Sequence, residues 1–344
     1  MKSDERRWQR WSPVWGKAAL VCVVMMLALI TVPVAAQGVS PAASPISSAG
    51  VTSAAKWLVS HQAKDGSYAG LDGKPDAGAT ADAIIALAAA KAAGAEVDLT
   101  RPLAYLTANA LVYAQTGPGQ AAMLTLAVVA AGGNPRDVAK VNPVALISHS
   151  ANKDTHLYGF GVYDHALIML ALQAAGETIP PEAITALQAT QIDNGSWAFD
   201  ASTEAAAGDS NTTAVVIQAL AATGHGDDPM VTKGLEFLKT LQADNGGFAY
   251  QPANPLAPDA NSTALVVQAI IAAGQDPASS DWRNAASALV AFQNSSGAFH
   301  YSDAQPDDNF LATIQALPPL AGLPMPVIGP PVEGTPVASP AAGA

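Results

Sequence analysis

Residues 242–250 read Gln-Ala-Asp-Asn-Gly-Gly-Phe-Ala-Tyr, and the same order of glutamine, glycine and aromatic residue returns at 191–199 and 293–301. The three copies start 51 residues apart, and a fourth copy lies near the N-terminal end at 62–68. A fixed period in this range indicates stacked structural units, none of which can bury its apolar face alone. The repeat therefore predicts a fold assembled from similar units.

Each unit contains two stretches with helical character. The stretch at 233–242 is amphipathic, with leucines on one face and charged side chains on another. The stretch at 263–273 is apolar on every side, which predicts a helix that is buried all round. A glycine that fits a left-handed helix cap follows each apolar stretch, at Gly94, Gly132, Gly176, Gly224, Gly274 and Gly322. We therefore predict an all-α fold of six helical hairpins, with amphipathic helices outside and apolar helices inside.

Periodicity alone leaves open whether the hairpins form an open solenoid or close into a ring. The Gln-x-x-x-Gly-x-Phe/Trp element resembles the repeat of the terpene cyclase and protein prenyltransferase superfamily, over about residues 54–322. This resemblance implies a closed α/α toroid, also called an α6/α6 barrel. The stretches at 209–220 and 259–270 also resemble the cobalamin carriers of the intrinsic factor and transcobalamin type, which share that ring.

The two ends of the chain differ in composition from the repeats. Residues 1–36 combine basic residues, an apolar run and then small residues of the kind that precede a cleavage site. This pattern predicts a signal peptide or, alternatively, an uncleaved membrane anchor. Residues 37–50 are rich in Ser, Pro, Ala and Gly and predict a disordered linker. The toroid is then expected over 51–322. Prolines from Pro318 onward oppose helix, so 323–344 are predicted as a disordered Pro-rich tail. We expect a protein that is secreted or held at the cell surface.

Charge and cysteine content argue against several classes of partner. The chain has 16 Lys and Arg against 28 Asp and Glu, a formal net charge of −12, which disfavours nucleic acid and anionic lipid as partners. Contact with a membrane is expected only if the N-terminal segment stays uncleaved. The single cysteine, Cys22, lies in the predicted signal peptide, so a zinc thiolate or a disulfide is not expected in the rest of the chain. We expect a monomer without cofactor or metal.

The catalytic motifs that the resemblance would imply are not in the sequence. Cyclases of the protonating type resemble one another in an Asp-x-Asp-Asp acid motif. This chain has only the pairs Asp227-Asp228 and Asp307-Asp308. The prenyltransferase zinc site of Asp, Cys and His cannot be carried over without a cysteine. The sequence therefore assigns no catalytic residue.

Polar residues before the apolar helices are the candidates for ligand binding. Asp and Asn at these positions are typical N-caps, but in a ring they would also surround a central pocket. His165 aligns with the capping positions of the third apolar helix. The full candidate set is Tyr163, Asp164, His165, Asp209, Asn211, Thr212, Tyr250, Asp259, Asn261, Asp307, Asp308 and Asn309.

The favoured hypothesis is a secreted, non-catalytic protein that binds a small apolar or corrinoid-like ligand, such as an isoprenoid or a corrinoid, at the mouth of the ring. One alternative is a divergent terpene cyclase or prenyltransferase-like enzyme, with Asp307, Asp308 or the capping aspartates as acids. Another is an extracellular structural or interaction module. An aspartate buried in an aromatic pocket without a capping partner would favour the enzyme.

Overall fold

The computed structural model describes residues 44–331. The predicted signal peptide, the first half of the predicted linker and the end of the predicted tail lie outside the described residues. Thirteen α-helices occur within 44–331: α1 (Ser48–Ser60), α2 (Ala77–Ala92), α3 (Thr100–Ala108), α4 (Ala110–Thr116), α5 (Pro118–Ala130), α6 (Pro143–Ser148), α7 (Val162–Ala174), α8 (Pro181–Thr190), α9 (Ser210–Ala222), α10 (Pro229–Thr240), α11 (Ala260–Ala272), α12 (Ala285–Ala291) and α13 (Phe310–Leu320).

Two short antiparallel hairpins accompany the helices. Strands β1 (Tyr68–Ala69) and β2 (Pro75–Asp76) form the first hairpin. Strands β3 (Phe299–Ser302) and β4 (Gln305–Asn309) form the second. Each of these two β-hairpins connects an outer helix to the inner helix that follows it.

Six helices form a closed inner ring. Helices α2, α5, α7, α9, α11 and α13 contact one another in that order, and α13 contacts α2. The remaining helices pack outside this ring, between neighbouring inner helices. The predicted all-α toroid of six hairpins is therefore confirmed, and the ring is closed.

The inner helices owe their position to their composition. In α2, the residues from Ala83 to Ala90 are all buried, and alanine supplies most of them. Small side chains let neighbouring inner helices approach closely, while the absence of a polar face leaves each helix no stable place except the interior. Burial of these apolar side chains holds the ring together.

The second and third hairpins depart from the repeat, as their sequences do. The outer helix of the second hairpin is divided at Asn109 into α3 and α4, and that of the third is the six-residue α6. Both hairpins lack the Gln-Asp-Asn-Gly turn in the sequence. Their inner helices α5 and α7 are as long as the inner helices α9 and α11.

The six predicted closing glycines all adopt the left-handed conformation, with φ between 70° and 93°. At Gly94, for example, the next residues turn back so that the Ala95 N–H donates to the carbonyl of Ala90. This is the glycine cap that the sequence predicted, and a side chain there would be strained.

The repeated glutamines fasten one hairpin to the next. Gln242 Nε2 donates to the carbonyl of Gly246 in its own turn and to that of Trp282 at the start of the next outer segment. Gln191 bonds Gly195 and Met230 in the same way. Gln293 reaches Gly50, and so joins the last hairpin to the first. These glutamines therefore have a structural role, which extends to closing the ring.

A threonine near the start of four inner helices makes a second set of contacts. The Thr213 hydroxyl donates to the Asp209 carbonyl and accepts from the backbone N–H of Trp197. Corresponding hydroxyls accept from the N–H groups of Tyr68, Phe248 and Phe299; they belong to Thr80, Thr263 and Thr313. Each threonine thus holds the aromatic residue of the turn against its inner helix.

The prediction that prolines from Pro318 onward exclude helix is wrong. Pro318 and Pro319 are buried in the last turn of α13. Proline's fixed φ is itself helical, although each proline in a helix interior removes one N–H donor and crowds the carbonyl four residues earlier. The carbonyl of Pro318 still accepts from Leu323 N–H, and that of Pro319 from Gly322 N–H, so the helix end is capped normally.

The boundaries of the ring extend beyond those predicted. Helix α1 begins at Ser48, inside the predicted linker, with Ser47 as its N-cap. At the other end, residues 323–329 pack against the ring, and we call them the C-terminal strap. Val327 is buried, and the Gly329 N–H donates to the Val129 carbonyl.

Candidate functional site

The six inner helices enclose a central cavity of about 120 Å³. Every inner helix and the strap contribute to its wall. Most of the lining is aliphatic: Ile85, Met123, Leu167, Leu170, Val215, Leu265, Leu311, Ile314, Pro318 and Met325. The polar lining residues are Asp82, Tyr163, Gln218, Gln268 and Gln315. A mostly apolar cavity with a few polar groups is the usual form of a small-molecule site.

The strap closes the cavity at the end where the inner helices finish. The Met325 N–H donates to Gln218 Oε1, and Gln268 Nε2 donates to the Leu323 carbonyl. Met325 also lines the cavity. Two glutamines at matching positions of adjacent repeats therefore hold the strap across this end.

The opposite end carries exposed apolar side chains. Leu311 lines the cavity and is 43% exposed, so the cavity reaches solvent where the inner helices begin. Tyr163, which also lines the cavity, contacts Phe199 with 5.8 Å between ring centroids. Phe199 and Phe160 are themselves exposed. Apolar side chains thus surround this entrance.

Asp82 is the one acidic side chain in the cavity wall among the described residues. It lies on α2 and keeps some accessible surface, because it faces the cavity rather than packed protein. Burial, followed by the charge of Asp76, raises the pKa of Asp82 from 3.8 to about 7. Its carboxyl is therefore a proton donor or acceptor near neutral pH.

Two tyrosines lie within the electrostatic reach of Asp82. Burial raises the pKa of Tyr163 to about 12, with a further contribution from the Asp82 charge. Burial and the same charge also raise the pKa of Tyr113. Both phenols therefore stay protonated. Asp82 caps no helix, but Tyr163 is the single aromatic residue in the wall of its cavity within residues 44–331, so Asp82 meets only part of the criterion set from the sequence, an aspartate buried in an aromatic pocket without a capping partner.

The capping aspartates in the candidate set are occupied by local bonds. Asp209 Oδ1 accepts from the Thr212 N–H, and its Oδ2 accepts from the Thr212 hydroxyl. Asp259 makes the same two bonds with Ser262. In both aspartates each carboxylate oxygen therefore already accepts a hydrogen bond within the cap. Burial raises the pKa of both carboxyls.

His165 is fully buried and does not line the cavity. Its Nδ1 accepts from the Tyr158 N–H at 2.9 Å, and its Nε2 lies 2.9 Å from the Ala183 carbonyl. It replaces, in the third hairpin, the threonine that elsewhere holds the turn against the inner helix. Burial lowers the pKa of His165 to about 4, which keeps the ring neutral.

The last three candidates lie on or beside β4 and away from the cavity wall. Asp308 accepts from Trp57 Nε1, Asn294 Nδ2 and the Ser296 hydroxyl, and these bonds lower its pKa. Asn309 is the N-cap of α13, through the Ala312 N–H. Asp307 is exposed. Asp308 therefore joins the last hairpin to the first and is not placed to act as an acid in the ring.

The remaining candidates surround the entrance without lining the cavity. Asp164 accepts from the Phe160 N–H, and Asn211 accepts from the Ser210 hydroxyl. Asn261 is buried with an unpartnered Oδ1. Tyr250 is exposed, and its carbonyl accepts from the Ser210 N–H. Of the candidate set, the structure places only Tyr163 in the cavity wall.

Two further classes of site were sought in the described part of the chain. Residues 44–331 contain no cluster of three or more His, Cys, Asp or Glu side chains that could hold a metal ion. Over the same residues, every helix is too short or too polar to cross a membrane.

Comparison with known proteins supports the fold and gives no family. No protein-family model and no curated protein matches the sequence. Among solved structures, the type II terpene cyclase MstE from Scytonema is similar, with a TM-score of 0.58 and 14% identity over 79% of this chain and 96% of that one. A protein from Actinoplanes has a TM-score of 0.55 and 14% identity, over 79% and 97%.

A third similar structure has a different activity. It is an inactive variant of the α-1,6-mannanase GH76A of Salegentibacter in complex with α-1,6-mannotriose, with a TM-score of 0.55 and 10% identity over 80% of this chain and 98% of that one. The resemblance to terpene cyclase-like α/α toroids is therefore supported at the level of the fold. Identities this low show the fold alone, so the function must be argued from the residues of the cavity.

Sequence reasoning missed Asp82, Gln218, Gln268 and Gln315. A signal was available for Asp82, Gln218 and Gln268. Asp82 is the only charged residue between Ala77 and Ala90, in a mostly apolar stretch of α2. Gln218 and Gln268 occupy equivalent positions in two apolar helices. A buried side-chain amide needs a hydrogen-bond partner, so a glutamine at such a position indicates a polar contact.

Proposed function

We propose that the central cavity binds a small apolar molecule, or the apolar end of a longer one. The observation that carries this proposal is an aliphatic cavity at the centre of the ring, closed by the strap and open at the entrance beside Leu311. All six inner helices contribute to its wall, so the whole ring serves to build it. Transfer of an apolar ligand from water into such a site is favourable by about 25 cal/mol per Å².

The size of the cavity limits the ligand. Pockets for drug-sized ligands enclose about 300–1,000 Å³. The enclosed space here is about 120 Å³. This favours a small ligand or a chain end over a corrinoid, which would have to lie largely outside the ring. From the signal peptide predicted at residues 1–36, we propose that the protein acts after export, on a molecule of the extracytoplasmic space.

Thermal unfolding of the full purified chain tests the binding proposal. A ligand at 100 times its Kd stabilises the protein by about 2.7 kcal/mol, which raises Tm by several degrees. The variant Val215→Phe places a ring in the cavity wall and should abolish the shift. The matched control Val112→Phe makes the same change on the exposed surface of α4 and should keep it. Equal shifts in both variants would place the ligand elsewhere.

A second candidate function is acid–base catalysis in the same cavity. Asp82 favours it, because a carboxyl with a pKa of about 7 in an apolar cavity can hold a proton at neutral pH and deliver it to a bound substrate. The similarity in fold to a type II terpene cyclase also favours acid–base catalysis.

Product analysis after incubation with squalene and prenyl diphosphates tests this candidate. Activity that Asp82→Asn abolishes, and that Asp227→Asn in an outer turn preserves, would support it. Absence of turnover in the wild type would sink the enzyme proposal and leave binding intact.

A further inference from the structure

Gln218 has a buried donor without a hydrogen-bond partner in the described part of the chain. Its side chain is 1% exposed and lines the cavity wall. The Met325 N–H fixes its orientation, because only the amide oxygen can accept that bond. The Nε2 group is left buried without a partner. A buried amide N–H₂ without a hydrogen bond is costly, so it marks a place where a bound group is expected.

Gln315 presents an unpartnered acceptor to the same cavity. It lies on α13, while Gln218 lies on α9, and α11 separates the two helices in the ring. Gln315 Oε1 is buried and has no hydrogen-bond partner among the described residues. Gln218 and Gln315, both in the cavity wall, therefore have one buried donor and one buried acceptor that the protein itself does not use.

The third amide of the wall is different. Gln268 lies on α11 at the position equivalent to Gln218, and its Nε2 is bonded to the Leu323 carbonyl. It holds the strap, as Gln218 does, but offers no unpartnered donor. The chain thus contains its own control for the amide of Gln218.

We infer that the ligand of the cavity is an apolar alcohol, whose hydroxyl oxygen accepts from Gln218 Nε2 and whose hydroxyl proton is donated to Gln315 Oε1. This inference rests on the proposed function and names the ligand class. A hydroxyl is the smallest group that is both donor and acceptor, and most of the wall is aliphatic, with Asp82, Tyr163 and Gln268 as its other polar residues. A hydrocarbon would leave both amide groups unpaired, and a ketone would leave Gln315 unpaired.

Three probes of nearly the same shape separate the possibilities: cyclohexanol, cyclohexanone and methylcyclohexane. Binding to the full chain is measured by ligand-detected NMR. We expect cyclohexanol to bind at least about tenfold more tightly than methylcyclohexane, with cyclohexanone between them, because a buried polar group left unpaired costs about that factor or more. Equal binding of cyclohexanol and methylcyclohexane would overturn the inference and show that water satisfies the amides, while the binding function would stand. Absence of binding by all three probes would overturn both.

Matched variants assign the preference to the named atoms. Gln218→Met and Gln268→Met each remove one bond to the strap, but only Gln218→Met removes the free donor. We expect Gln218→Met to bring the affinities for cyclohexanol and methylcyclohexane within about twofold, whereas Gln268→Met keeps the tenfold preference. Loss of the preference in both variants would show that it depends on the strap and not on the Gln218 amide.

Discussion

The carboxyl of Asp82 lies in the wall of a mostly aliphatic cavity. Its burial and the neighbouring Asp76 raise its pKa, and its ionised form therefore destabilises the folded protein. The sequence pattern did not reveal this residue, since α2 was interpreted by its apolar periodicity, to which one acid makes little difference. Only the closed ring shows that this acid faces a cavity instead of solvent.

The pH dependence of stability tests the environment of Asp82. Its folded pKa of about 7 lies above the unfolded value of 3.8, so the folded state binds the proton more tightly. The wild type should therefore lose stability relative to Asp82→Asn as the pH rises from about 4 to 7, by at most about 4 kcal/mol. Urea unfolding of both proteins at pH 4, 5.5, 7 and 8 measures the difference. A difference that does not change with pH would contradict the buried carboxyl.

His165 should show the opposite pH dependence. Its folded pKa of about 4 lies below its ordinary value of 6.5, so the stability it contributes is complete above pH 6.5 and is lost as the pH falls toward 4. In His165→Thr this acid-dependent loss should disappear. At pH 7 the variant should be less stable by about 1–3 kcal/mol, because the Ala183 carbonyl loses its partner. Urea unfolding at pH 5 and 7 checks both, and a variant as acid-sensitive as the wild type would contradict the assignment.

At the scale of the elements, the repeated glutamines explain how hairpins with little charged surface keep their register. The amides of Gln191, Gln242 and Gln293 each bridge a turn and the following hairpin, and the threonines hold the aromatic residue of the turn. The role of the glutamine was predictable, because an amide after an amphipathic helix has carbonyls within reach. Its partner in the next hairpin was not, because that contact spans 40 residues.

Removing one of these amides should destabilise the ring in proportion to its bonds. Gln242→Ala leaves the carbonyls of Gly246 and Trp282 unpaired in a buried place, which should cost about 1–3 kcal/mol. Gln62→Ala is the matched control, since Gln62 makes a single bond of 3.3 Å to the Gly66 carbonyl. Its cost should stay below about 1 kcal/mol. Equal costs in chemical denaturation would show that the second contact contributes nothing.

The strap should close the cavity at the end where the inner helices finish. A chain that ends at Gly322 lacks Met325 and frees Gln218 and Gln268, so apolar lining becomes accessible from the closed end. We expect this variant to bind the dye ANS more strongly than the wild type and to have a lower Tm. The control ends at Pro331 and keeps every contact of the strap. Unchanged dye binding on removal of the strap would contradict its role.

At the scale of the whole molecule, the number of hairpins followed from six glycines, each with the backbone conformation expected of a cap. Ring closure did not follow from the period, and was implied only by the resemblance. It rests on contacts between residues far apart in sequence, such as Gln293 with Gly50 and Asp308 with Trp57. The candidate site was less predictable. Residues near the starts of the inner helices do lie near one end of the ring, but Asp209, Asp259 and Asn309 cap helices and others make local hydrogen bonds. The cavity lies deeper, among mostly apolar residues.

The central claim is that the ring exists to hold a ligand in its cavity, and native mass spectrometry of the full chain, purified without denaturation, tests it most directly. We expect the wild type to show a second mass species that is heavier by one small organic molecule. This species should be present in Val112→Phe and lost in Val215→Phe. A wild type that shows only the mass of the chain, and that takes up neither alcohols nor hydrocarbons when they are added, would contradict the account.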